Sequence, residues 1–176
     1  MAGRRTNPRM RNPRSGQAAI EFTLLYAAVI LPMTFGLVYV SEMYWVWHSI
    51  NELTRDGARY AATHCWQADS QNVISYMQSH IPVNIDQAQF QSGGIAQINV
   101  TYYSQDPVSG TLNVFSCDGD CSTNCVPDTV TVNVTNYEFR RFVSFLHLPP
   151  VAMPSFDTSV AIQSNGCDPE QNSCVP

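Results

Sequence analysis

The sequence predicts an α+β protein: one long N-terminal helix, able to span a membrane in its first part, that extends into a small antiparallel sheet domain stapled by disulfides. Three observations carry this. The 20 residues from Phe22 to Ser41 contain no charged side chain. The hydrophobic period changes from three and four to two after about residue 95. Six cysteines stand in the C-terminal two thirds of a chain of 176 residues.

The charge distribution orients the helix. The formal net charge is -5, but Arg4, Arg5, Arg9, Arg11 and Arg14 all precede Gly16, and all 14 acidic residues follow it. At about 1.5 Å per residue, the uncharged run matches the roughly 30 Å hydrocarbon layer of a bilayer. The arginines hold the N-terminus in the cytoplasm, and Tyr39, Tyr44, Trp45 and Trp47 form an aromatic belt for the far interface. The division expected is a basic leader over 1–16, a transmembrane helix over 17–48 and an outer α+β domain over 49–176. The run is too long for a cleaved secretory signal, and "VYVSEMYW" lacks the small residues of such a site. The twin arginines precede "TNP", a poor export signal.

Beyond the belt, Ile50, Leu53, Gly57, Tyr60 and Ala61 recur at helical spacing, and Glu52 can pair with Arg55 one turn on. Gly57 inside this helix costs about 1 kcal/mol relative to Ala, so something packs closely there, either the domain itself or another subunit. Asp69 or Ser70 caps a second helix carrying Val73, Ile74 and Met77, closed by Ile81 and Pro82. Strands follow in "IAQINVTYY", "TLNVF", "TVTVNVTNY" and "FDTSVAIQS", of which the third alternates Val130, Val132 and Val134 with Thr131, Asn133 and Thr135. The segment "YEFRRFVSFLHLPP" reads as a short helix or a hydrophobic loop.

Cys65, Cys117, Cys121, Cys125, Cys167 and Cys174 allow fifteen connectivities. Cys167 with Cys174 can close the tail, two of the Cys117, Cys121, Cys125 trio can staple a loop, and Cys65 can meet the third. An outer, oxidising compartment agrees with all six being paired. The loop "CDGDCSTNC" lacks the C-x-x-C spacing of structural zinc, and Asp118, Asp120 and Asp128 lack an EF-hand register, so no metal and no cofactor is expected. No serine-hydrolase elbow, zinc-protease pair or phosphate loop occurs, and His48, His64, His80 and His147 are scattered, so no catalytic residue is assigned. A nucleophile built from His64 and Cys65 is disfavoured, since adjacent helical side chains diverge. Arg55 with Arg59 and Arg140 with Arg141 are too small as basic groups for nucleic acid. The sequons at Asn99 and Asn133 read as polar strand faces rather than glycosylation sites.

One residue resists this frame. Glu21 stands at the start of the apolar run, where a carboxylate in lipid costs on the order of 3 kcal/mol or more. A basic leader, Gly16, then Gln17-Ala18-Ala19-Ile20-Glu21-Phe22 and an apolar helix resembles the processing site of type IV-like prepilins, and more closely the TadE-like minor pilins, or pseudopilins, of the tight-adherence (Tad) pilus system. "LP" at Leu31-Pro32, "DGARYAA" at 56–62 and "VTVNVTNYEF" at 130–139 are similar to family features in order. The resemblance implies a pilin-like fold and cleavage by a prepilin peptidase between Gly16 and Gln17. It makes Glu21 the fifth residue of the mature chain, where its carboxylate meets the freed amine of a neighbouring subunit. It implies other minor pilins, the major pilin and the inner-membrane assembly platform as partners, and a single-pass protein with its C-terminal domain in the periplasm or in a surface pilus. Pro32 removes the hydrogen bond to the Ala28 carbonyl and, with Gly36, should kink or loosen the helix. The alternatives are an unprocessed signal-anchor protein presenting a periplasmic binding domain, and a tethered metal-dependent hydrolase using the Cys117 to Asp128 loop.

Overall fold

A computed structural model describes residues 14–141, 149–162, 164, 166–168, 170, 171, 173 and 174. Two compact units divide the chain between Glu42 and Met43. The first is helical. Helix α1 (Arg14–Leu25) passes into a π segment (Tyr26–Ile30) and then into α2 (Leu31–Thr63). Between Gly16 and Val38 every residue is exposed, as a segment meant for lipid must be when no neighbour covers it. The leader arginines at 4, 5, 9 and 11 lie outside the described residues.

The outer unit is built on the later part of α2. From Val46 onward the helix buries one stripe: Val46, Ile50, Leu53, Thr54, Gly57, Ala58 and Ala61. This stripe packs on its own domain. A Cβ at Gly57 would fall into the Met77 side chain of helix α3 (Gln71–Ser79). Thr54 is fully buried, and its hydroxyl bonds the Asn51 carbonyl at 2.8 Å and Thr158 Oγ1 at 3.0 Å, which ties helix to sheet. Tyr60 departs from the expected apolar face. It is half-buried on the flank and stacks on Tyr76 at 4.0 Å and His64 at 3.7 Å between ring centroids. Its planar ring gains more from those partners than a place in a stripe of small side chains would allow.

Helix α3 buries Val73 and Met77, and Ile74 is half-buried. Asp69 Oδ1 accepts from the Gln71 amide at 3.1 Å, whereas Ser70, at the cap position with φ of 54°, makes no side-chain capping bond. The helix stops at Ser79, before Ile81 and Pro82, and a 3-10 turn (Gln87–Phe90) follows, capped by the Asp86 carboxylate.

Strands β1 (Gln97–Gln105), β2 (Leu112–Val114), β3 (Thr129–Thr135) and β6 (Phe156–Ala161) form one antiparallel sheet in the order β2-β1-β3-β6. The predicted alternation sets its two faces. Val130, Val132 and Val134 are 0% exposed, while the opposite face carries polar pairs: Thr131 with Ser159 at 2.8 Å and Asn133 with Asp157. Asn99 and Asn133 stand directly opposite each other on that polar face. At its start the Tyr137 segment differs from the expected helix or loop: β4 (Glu138–Phe139) pairs with β5 (Val151–Ala152). Buried Gln89 braces β4, since its amide accepts from Glu138 N at 2.9 Å and donates to Glu138 O at 2.9 Å, mimicking a strand partner. Residues 142–148, including His147, lie outside the described residues. The tail ends in the short hairpin of β7 (Cys167–Asp168) and β8 (Ser173–Cys174).

Tyr102, at 4% exposure on the inner face, has a hydroxyl with no hydrogen-bond partner among the described residues. Burial pushes its phenol up to about 12. A folded pKa above the unfolded value near 10 means that this group favours folding fully below pH 10 and loses that contribution as pH rises towards 12. We expect Tyr102→Phe to leave stability at pH 7 unchanged or raised by about 1 kcal/mol, since an unmet buried hydroxyl is removed. The alkaline unfolding midpoint of the detergent-solubilised chain, followed by circular dichroism, should move upward.

Candidate functional site

The residues singled out at the N-terminus lie on successive turns of one helix. Gly16 is helical, within α1, with open space where a Cβ would stand. A protease needs an extended scissile segment, and Gly16 is helical here. Gln17 and Glu21 are one turn apart, and Gln17 Nε2 donates to Glu21 Oε1 at 3.2 Å. A new N-terminus at Gln17 would therefore lie one turn from the carboxylate of its own chain. Thr23 returns its hydroxyl to the Ala19 carbonyl at 2.8 Å, hiding its polarity from an apolar medium.

The π segment ends two residues before Pro32: the Leu31 amide bonds back to the Tyr26 carbonyl, across five residues. Proline cannot donate to Ala28 and its ring crowds that carbonyl; an extra residue in the preceding turn relieves both. At Gly36 a Cβ would meet nothing within 4 Å, so no contact among the described residues requires glycine there. Apolar side chains line this rod on all sides, with Phe22, Leu24, Met33, Phe35 and Leu37 each at least 60% exposed.

The cysteines form three pairs: Cys65 with Cys121, Cys117 with Cys125, and Cys167 with Cys174. They gather at the C-terminal end of α2. Cys121 N donates to the Trp66 carbonyl at 3.0 Å, the Ala68 amide donates to Asp120 Oδ1 at 2.9 Å, and Gly166 lies against the Thr63 backbone, where a Cβ would clash. Gly166 adopts φ of +67°, which with that close approach excludes any larger residue. With every thiol paired, the Cys117 to Asp128 loop holds no thiolate for a metal. Asp120 and Asp128 serve the fold: Asp120 accepts from the Ala68 amide and Asp128 Oδ2 from the Gln105 amide at 2.7 Å. Among the described residues no group of three His, Cys, Asp or Glu side chains suits a metal ion. His64 Nδ1 lies 3.0 Å from the Tyr60 carbonyl and His80 Nδ1 2.8 Å from that of Tyr76, so both histidines close helix ends.

Two features escaped the sequence reading. "YAATH" at 60–64 and "YMQSH" at 76–80 share a tyrosine, a hydroxyl residue and a histidine at the same spacing, and that repeat is the signal for the stacked rings. The other is a cavity of about 320 Å³ bounded by Val46, Ile85, Asp86, Tyr137, Phe139, Arg140 and Arg141. Arg140 with Arg141 was legible only as a small basic group, because the strand that presents it is braced by Gln89, some 50 residues away.

One exposed apolar helix followed by a disulfide-stapled α+β unit fits a single-pass membrane protein. The family model for TadE-like protein matches residues 16–59, from Gly16 to Arg59 on α2. The match bears out the TadE-like resemblance over those residues; it stops short of 130–139, the other stretch that resembles the family. No curated protein and no solved structure matches the chain.

Removing the Cys65–Cys121 pair should cost more than removing the tail pair. On the chain-entropy account, sequence separations of 56 and 7 correspond to about 4 and about 2.5 kcal/mol. Urea titration of the Cys65→Ser/Cys121→Ser and Cys167→Ser/Cys174→Ser variants should rank them in that order.

Proposed function

We propose that this chain is a non-enzymatic minor pilin-like subunit of a Tad-type pilus. It enters the inner membrane through Phe22–Ser41 with its N-terminus in the cytoplasm and its C-terminal domain in the periplasm. A prepilin peptidase removes residues 1–16, and Glu21 then guides docking with other minor pilins, the major pilin and the assembly platform. The observation that supports this best is a TadE-like match that begins at Gly16 itself and runs through a fully exposed apolar helix. A lone carboxylate in lipid is unfavourable, but a carboxylate and an ammonium together offset much of the desolvation. Glu21 also lies near the helix N-terminus, where the macrodipole favours an acid, so it is tolerated before assembly.

The helical state of Gly16 favours a second reading: an anchor that keeps its leader and presents the outer unit as a binding domain. Intact mass decides between them. The native chain should lack residues 1–16 when the peptidase is present and keep them when it is deleted; an uncut native chain supports the anchor. Glu21→Gln should leave cleavage intact and reduce incorporation into sheared surface fractions by about tenfold or more, the scale of one lost buried ion pair. Pro32→Ala, which restores a regular helix, should change incorporation without changing cleavage.

A further inference from the structure

Among the described residues the large sheet of the outer unit ends at β2 on one side and at β6 on the other, and the two ends differ. β2 has three residues, too short a strand to give an incoming chain much to pair with. β6 has six, in unbroken register against β3 from Phe156 opposite Val134 to Ala161 opposite Thr129. The hydrogen-bond phase of that pair is set by Ile162 N, which donates to Asp128 O at 2.8 Å one step beyond it. Antiparallel main chains alternate sides. Phe156, Thr158 and Val160 therefore turn their N–H and C=O groups to β3, and Asp157, Ser159 and Ala161 turn theirs outward. These last three residues are exposed, and their outward groups meet no backbone partner among the described residues.

An open edge of this length is normally guarded by lysine, proline or a bulge. The chain has no lysine, 156–161 contain no proline, and the β3–β6 register has no bulge. The one charged side chain on the strand, Asp157, accepts from Asn133 Nδ2 on β3 and is held towards the sheet rather than across the edge. The core beneath is also less complete on this side. Val130, Val132 and Val134 of β3 are 0% exposed, whereas Thr158 and Val160, on the same inner face of β6, are only half-buried. A further strand beside β6 would satisfy the outward main chain and cover both side chains.

The strand is complementary to itself. In an antiparallel pair related by a two-fold axis through Ser159, each Ser159 faces its equivalent, Asp157 faces Ala161 of the other copy, and every outward N–H lies opposite an outward C=O. On the inner face Thr158 then stands against Val160, and Phe156 against Ile162, so apolar and β-branched side chains meet. An axis through Asp157 would set two carboxylates opposite each other, and one through Ala161 would run Asp157 and Ser159 past the end of the opposing strand. We propose that a second copy of this chain adds to β6 in the Ser159 register, joining the two sheets into one across the axis. The pairing uses the outer unit alone and is independent of a cut at Gly16.

The test uses the full chain in detergent, with introduced cysteines oxidised by copper phenanthroline and the products read by non-reducing electrophoresis and peptide mapping. Facing Cα atoms at a hydrogen-bonded position are about 5.5 Å apart, within disulfide reach. S159C should therefore give a dimer linked 159 to 159, and D157C mixed with A161C should crosslink, whereas N99C, exposed on the same face but on the central strand β1, should not. In sedimentation, S159K sets like charges on the axis and should weaken the dimer, and A161K sets an ammonium opposite Asp157 and should tighten it, each by about fivefold. S159A should leave it unchanged. A161K and the crosslinks decide the matter even where S159K disturbs the fold. A chain that stays monomeric, a dimer indifferent to both S159K and A161K, or S159C that crosslinks no better than N99C overturns the proposal. Capture of S159C in cells by a different protein, with none bonded to its own copy, also overturns it, since the occupant of the edge is then another chain.

Discussion

A single helix here must satisfy two different solvents. Up to Val38 its side chains are exposed on every side and apolar on nearly all of them, which is stable only where the surroundings are apolar too. From Val46 the same helix narrows to one buried stripe, and the residues off that stripe become Glu52, Arg55, Asp56 and Arg59, paired at one-turn spacing. The change of pattern, rather than any cap or break, marks where one medium gives way to the other. Everything in the outer unit is arranged around the stripe.

That arrangement uses small residues and polar bonds where larger apolar ones would not fit. Gly57 and Ala58 admit Met77, and Thr54 reaches Thr158 on the sheet. The valines of β3 then close the inner face. Each contact is modest, and the unit is small enough that covalent staples contribute a large share of its stability. The staples sit at the far end of α2 from the aromatic belt, so the helix is held by packing near the belt and by covalent bonds at its end.

The parts legible in the sequence were those written in local period. The apolar run, the valine alternation of β3 and the stripe through Ile50, Leu53, Gly57 and Ala61 each needed only neighbours in the chain to specify them. What depended on distant partners was not legible. Tyr60 matched the helical spacing but left the stripe because Tyr76 offered a stacking surface. Glu138 and Phe139 form a strand with Val151 and Ala152, and buried Gln89, some 50 residues away in sequence, bonds both backbone groups of Glu138. The N-terminal site divides the same way: the spacing of Gly16, Gln17 and Glu21 is visible in the letters, whereas the helical state of Gly16 and the π turn before Pro32 are properties of the folded backbone.

The bridge between Cys65 and Cys121 bears on what happens under load. In the role proposed above the chain would be pulled along its rod, and without that link the rod would be resisted only by side chains that can slide past the sheet one after another. With the sulfurs joined, tension on the rod passes at once into the loop between β2 and β3, and slippage stops at a covalent bond. In that role mechanical endurance would depend on the bridge having formed, and a reduced copy would creep under a force that an oxidised copy withstands.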